Sequence, residues 1–87
     1  MSVTVEMTYD MGKALGVPRF EVDGARTVAD AVRMARDRFG EAGGDFEKLT
    51  RVAAVAVNGV LVNYRRGMKT RLTDGDVVVF VKAAAGG

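Results

Sequence analysis

Apolar and polar residues alternate strictly at the start of the chain. Val3, Val5, Met7 and Tyr9 fall on one side, and Thr4, Glu6 and Thr8 on the other. Period two is the mark of a strand with one buried face. Residues 10–16 carry two glycines and read as a loop. VPRFEVD then alternates again, with Phe20 and Val22 set against Arg19, Glu21 and Asp23, so the two runs predict an antiparallel hairpin. Pro18 lacks a backbone donor and belongs at the start or the edge of its strand. After an Asp23-Gly24 turn the period changes to that of a helix. Val28, Ala31, Val32, Ala35 and Phe39 form one stripe, Thr27 is a suitable N-cap with Asp30 three residues on, and Gly40 is placed for a left-handed C-cap.

EAGGDFEKLTR reads as a connection with one short helical turn that brings Phe46 and Leu49 inward. RVAAVAVNGVLVNY is two β-branched runs joined by Asn58-Gly59, the pair that suits a type I′ hairpin because both central residues need positive φ. RRGMKTRLTDGD is a polar loop closed by Asp74-Gly75. DVVVFVK is a strand apolar on both sides, which suggests a central place in the sheet. The order is strand, strand, helix, strand, strand, strand. The helical stripe must be covered, so the helix lies across one face of a mixed sheet of four to five strands. This is an α+β fold of the ubiquitin-like β-grasp type: a domain over residues 1–82, followed by a flexible tail over 83–87.

The expected core is Val3, Val5, Met7, Phe20, Val22, Val28, Val32, Ala35, Phe39, Val55 and Val57. In the last strand, Lys82 should face solvent. That puts Val78 and Phe80 with it on the open face and turns Val77, Val79 and Val81 toward the helix.

Composition narrows the function by what is missing. The 87 residues contain neither cysteine nor histidine, which removes disulfides, thiol nucleophiles and thiolate or imidazole metal sites. There is no paired-carboxylate cleft and no glycine-rich phosphate loop after a strand, so an autonomous enzyme is a poor reading. No stretch has the length of a membrane span and no signal peptide is evident, which makes the cytoplasm the expected compartment. Net charge is +2, but residues 51–87 hold six basic residues against Asp74 and Asp76. Arg65, Arg66, Lys69 and Arg71 form a mild basic patch suited to an acidic partner surface. Nucleic acid is disfavoured, since the six aromatics leave few to stack on bases.

The chain finishes KAAAGG. VAVNGVLV, LTDGDVVVF and the closing Gly86-Gly87, in this order, resemble the MoaD/ThiS family of prokaryotic sulfur-carrier proteins, and the resemblance runs over essentially the whole chain. It implies a carrier, not an enzyme. An adenylating enzyme of the ubiquitin-activating type would use ATP to activate the carboxylate of Gly87. A sulfur donor would convert the adenylate to a thiocarboxylate, and a sulfur-accepting synthase subunit of molybdopterin, thiazole or related biosynthesis would receive the sulfur. The chain itself would bind no cofactor or metal.

Gly86 would give clearance in a narrow active site, since glycine has no Cβ. Val78, Phe80, Lys82, Arg65 and Arg66 would dock the partner. Many family members carry proline or a bulkier apolar residue just before the glycine pair, where this chain has Ala83, Ala84 and Ala85. Two other readings stay open: a ubiquitin-like modifier joined through Gly87 to lysines, and a noncovalent β-grasp binding module.

Overall fold

The structure is a computed structural model that describes residues 1–62 and 67–82. It contains β1 (Ser2–Glu6), α1 (Tyr9–Leu15), β2 (Arg19–Asp23), α2 (Val28–Phe39), α3 (Glu41–Thr50), β3 (Ala53–Val57), β4 (Val60–Leu61) and β5 (Val77–Lys82). The strands form one sheet in the order β2-β1-β5-β3-β4. β5 lies at the centre, parallel to β1 and antiparallel to β3. The β1–β2 and β3–β4 hairpins are antiparallel, as their sequences predict. The helices cover one face, which makes this an α+β fold of the ubiquitin-like β-grasp type.

α2 starts where its sequence says it should. The Thr27 hydroxyl accepts from the Asp30 N–H, and the Asp30 carboxylate accepts from the Thr27 N–H, both at 3.1 Å. The two N–H groups between them are also satisfied, by carbonyls of the segment that follows β4: Val28 donates to Thr70 and Ala29 to Met68. A helix N-terminus ordinarily leaves these donors free; here they hold a loop in place. Gly40 departs from the left-handed cap, with φ 60° and ψ −127°. It turns the chain directly from α2 into α3.

Two helices were not expected. α1 occupies the stretch read as a loop, with Thr8 as N-cap and a left-handed Gly16 closing it. Met11 and Leu15, one turn apart, are both buried. α3 replaces the single turn expected before β3 and runs for 10 residues. Its two glycines argue against a helix on intrinsic propensity, but Gly43 is where α3 meets α2. A Cβ there would lie 2.5 Å from the Arg36 carbonyl oxygen, so the helices approach this closely only because the side chain is missing. Contact between the helices outweighs propensity.

The core follows the predicted faces for β1, β2, α2 and β3. Val3, Val5, Phe20, Val22, Val28, Val32, Ala35 and Val55 are buried, and Met7, Phe39 and Val57 pack against them half-buried. All four phenylalanines join one run of edge-to-face contacts: Phe39 to Phe20 at 5.4 Å, Phe20 to Phe46 at 5.9 Å and Phe46 to Phe80 at 5.8 Å between centroids.

The turn before β5 is a clasp. Asn58 Nδ2 donates to Asp76 Oδ1 at 2.9 Å, and Asn58 Oδ1 accepts from the Val77 N–H at 2.9 Å. Asp76 also accepts from the Thr73 N–H and hydroxyl. The neighbouring Asp74 accepts from the Ser2 N–H at 2.7 Å. One turn thereby links β1, the β3–β4 hairpin and β5. Hydrogen bonds, the Thr73 N–H first and the Asn58 amide next, hold the Asp76 carboxyl below its ordinary value of 3.8. The Arg26 N–H, with Arg33 beside it, does the same for Asp30.

Two tests follow from this packing. Gly43→Ala gains helix propensity of about 1 kcal/mol but drives a Cβ into backbone, where overpacking typically costs about 1–3 kcal/mol. The expected net loss in urea unfolding is up to about 2 kcal/mol. Gly44→Ala, whose Cβ would meet nothing within 4 Å, should instead gain up to about 1 kcal/mol.

The second test concerns acid. A carboxyl with a lowered folded-state pKa stabilises the fold above the unfolded value, and that contribution is lost as pH falls through the lower folded value. The urea midpoint of the native chain should therefore fall as pH drops below about 4. Asp76→Asn should flatten that acid limb.

Candidate docking face beside the C-terminal strand

β5 leads to the tail, so its two faces decide what lies next to the tail's root. Val78 pairs with Val5 and with Val57, and Phe80 pairs with Val55. Paired residues share a sheet face, and Val5 and Val55 are inside. Val78 and Phe80 are accordingly 0% and 1% exposed. This corrects the expected parity: both are core residues and neither is on the open face. Lys82 is exposed as expected, but it was a poor guide to parity. It sits at the strand's end, opposite Ala53, past the last layer of core.

The open face is taken by Val77, Val79 and Val81. The row Arg19, Glu6, Val79, Ala56, Leu61 crosses the whole sheet and divides it. β1 and β2 supply Thr4, Glu6, Arg19 and Glu21, whereas β5, β3 and β4 supply Val77, Val79, Val81, Ala54, Ala56 and Leu61. Val81 is 37% and Leu61 68% exposed. An apolar half-sheet beside a charged half is a surface with a fixed orientation for a partner, apolar centre and polar rim together.

The β2 edge of the sheet is covered by a side chain from α2. Arg38 of α2 reaches β2, where its Nη1 donates to the Glu21 carbonyl at 2.9 Å. That caps one edge with a charged side chain, a device that discourages strand addition.

A groove of about 750 Å3 opens at the end of the sheet where β5 finishes, between the start of α1 and the end of α3. Tyr9 and Val52 stand on its walls, 81% and 71% exposed. Leu49, Phe80, Val81 and Lys82 also line it. Neither Tyr9 nor Val52 was anticipated, because both adjoin helices that the sequence did not announce.

Of the residues expected to act, Gly86, Gly87, Arg65 and Arg66 lie outside the described residues. Among the described residues no helix is long and apolar enough to cross a membrane.

The family model described as "ThiS family" matches residues 16–87. The chain belongs to the ThiS family. Its members are small ubiquitin-fold sulfur carriers rather than enzymes. Solved structures resemble this ThiS-family chain over nearly its full length. A chain of the BexX/CysO complex of Amycolatopsis orientalis is 28% identical, covering 98% of this chain and 99% of that one, with a TM-score of 0.75. Small archaeal modifier protein 1 of Methanosarcina acetivorans is 18% identical, covering 99% and 96%, at 0.77. A chain of the complex of subunits 1 and 2 of the molybdopterin-converting factor of Helicobacter pylori is 22% identical, covering 100% of both chains, at 0.67. A comparison with curated protein sequences gave no match.

The parity has a direct test. Phe80→Ala in this ThiS-family chain removes a buried ring that touches Phe46, so it should cost about 3–5 kcal/mol in urea unfolding. A docking residue on the open face would lose partner binding while leaving the unfolding midpoint nearly unchanged.

Proposed function

We propose that this ThiS-family protein carries sulfur on the carboxylate of Gly87. The observation that supports the reading best is the family match, which extends through the glycine pair at 86–87. In the proposed cycle a partner enzyme of the ubiquitin-activating type binds ATP. The Gly87 carboxylate attacks the α-phosphorus, and pyrophosphate leaves. Hydrosulfide supplied by a sulfur donor then attacks the acyl carbon and AMP leaves, producing a thiocarboxylate that a synthase subunit consumes. A carboxylate is a poor electrophile, and adenylation supplies the leaving group it lacks.

The chain's own part in this is presentation. Five residues separate Lys82 from the carboxylate, and a fully extended segment of that length spans at most about 18 Å. An enzyme that takes Gly87 must come within that reach of β5's end. The groove beside Tyr9 opens at that end, and Val79, Val81 and Leu61 lie on the open face of the same sheet. We assign docking to these in place of Val78 and Phe80, with exposed Lys82 on the rim beside them.

The test is ATP–pyrophosphate exchange with an adenylating enzyme of this type, followed by intact mass after sulfur transfer. Removing Gly87 should abolish exchange while leaving the unfolding midpoint unchanged. Leu61→Asp and Val81→Asp should each raise KM by about tenfold or more, as expected for an apolar anchor at an interface. Exchange that persists without Gly87 would refute the carrier reading. A full-length chain that is adenylated but accumulates as lysine conjugates, with no thiocarboxylate, would make it a protein modifier.

A further inference from the structure

Asn58-Gly59 combines the ingredients of spontaneous deamidation with a geometry that prevents it. Gly59 has no Cβ, and nothing stands within 4 Å of where one would be. Asn58 is exposed to water. In the reaction, the backbone nitrogen of Gly59 gives up its proton and attacks Asn58 Cγ. A new N–Cγ bond closes a succinimide ring, the Cγ–Nδ2 bond breaks and ammonia leaves. Water then opens the ring to aspartate or isoaspartate. The balance is one water consumed and one ammonia released, with no oxidant or reductant.

The attack requires the Asn58 amide to swing over its own following peptide. In the folded chain both polar atoms of that amide are held across the turn by β5 and the residue before it. Nδ2 donates to Asp76 Oδ1 at 2.9 Å and Oδ1 accepts from the Val77 N–H at 2.9 Å. The backbone is fixed too: Asn58 and Gly59 have φ of 51° and 83°, and the Asn58 N–H donates to the Val77 carbonyl at 2.9 Å. Asp76 is itself anchored by Thr73 through two bonds of 2.8 and 3.1 Å.

We propose that Asn58 is a latent deamidation site that the Asp76–Thr73 clasp holds shut, and that its conversion is one-way. The product has no Nδ2 donor. It places a carboxylate against the Asp76 carboxylate, so the bond from residue 58 to Asp76 cannot re-form and the clasp on the start of β5 is weakened.

The experiment incubates the full chain in mildly alkaline buffer and follows the tryptic peptide 52–65 by tandem mass spectrometry, which separates Asn58 from Asn63. Wild type is compared when folded and when unfolded in urea, and folded Asp76→Ala and Thr73→Val are measured alongside, each rate corrected for the fraction of chain unfolded. Folded wild type should react more slowly than unfolded chain by on the order of tenfold or more. Folded Asp76→Ala should react about tenfold faster than folded wild type, with Thr73→Val between the two. If Asp76→Ala fails to fold, Thr73→Val alone decides.

Folded wild type reacting as fast as unfolded chain would overturn the proposal, as would folded variants reacting at the wild-type rate. Asn58→Asp, the product made directly, should lower the melting temperature by about 5 °C or more. An unchanged melting temperature would refute the one-way step.

Discussion

The run of edge-to-face contacts through Phe39, Phe20, Phe46 and Phe80 is the constraint from which the rest of the arrangement follows. The four rings come from α2, β2, α3 and β5, so one aromatic row joins two helices to the edge and the centre of the sheet. A small domain has little core to spare, and here its largest apolar side chains are placed end to end. Phe46 can meet both Phe20 and Phe80 only if α3 lies low over the sheet, and α3 can lie there only where Gly43 lets it press against Arg36. Phe80 can reach Phe46 only from the covered face. The parity of β5 is therefore settled by α3, an element outside the sheet.

That parity shapes the surface available for partners. With Val78 and Phe80 committed to the interior, Val77, Val79 and Val81 must face out. Their neighbours on β3 and β4 are apolar, whereas those on β1 and β2 are polar or charged. The proposed docking and the stability of the fold thus draw on alternate residues of the same strand. A strand apolar on both faces is what a carrier of this family needs if its last strand is to be both core and contact surface. The proposed activation chemistry asks for nothing more elaborate: no acid, base or nucleophile has to be positioned by this chain, only a carboxylate delivered from a firm base.

Polar contacts add to the core in holding that base. Asn58, Asp76 and Thr73 bind one another and the backbone at the start of β5, and Asp74 beside them accepts from the Ser2 N–H of β1. Side chains that are weak stabilisers at the surface do more when each accepts from fixed backbone N–H groups, since the geometry is already organised. The lowered Asp76 carboxyl has the same cause. A turn held so tightly also restrains the reactivity of its own Asn-Gly pair.

Much was legible from local patterns alone. Period-two alternation placed β1 and β2, Asn58-Gly59 placed the β3–β4 turn, and Thr27 with Asp30 marked the start of α2, because each is decided by side chains within a few residues. The family likeness was legible for the same reason, being carried by short turn motifs and the closing glycines. The tertiary structure alone decided the rest. α1 looked like a loop because two glycines hid the Met11–Leu15 spacing, and α3 because its glycines cost helix propensity that only contact with α2 returns. Lys82 misled the parity of β5, since a charged side chain at a strand's end can reach solvent from either face. A strand apolar on both sides holds no internal record of which face is covered. Only its register against Val5 and Val55, and the ring of Phe46 waiting above, determine that.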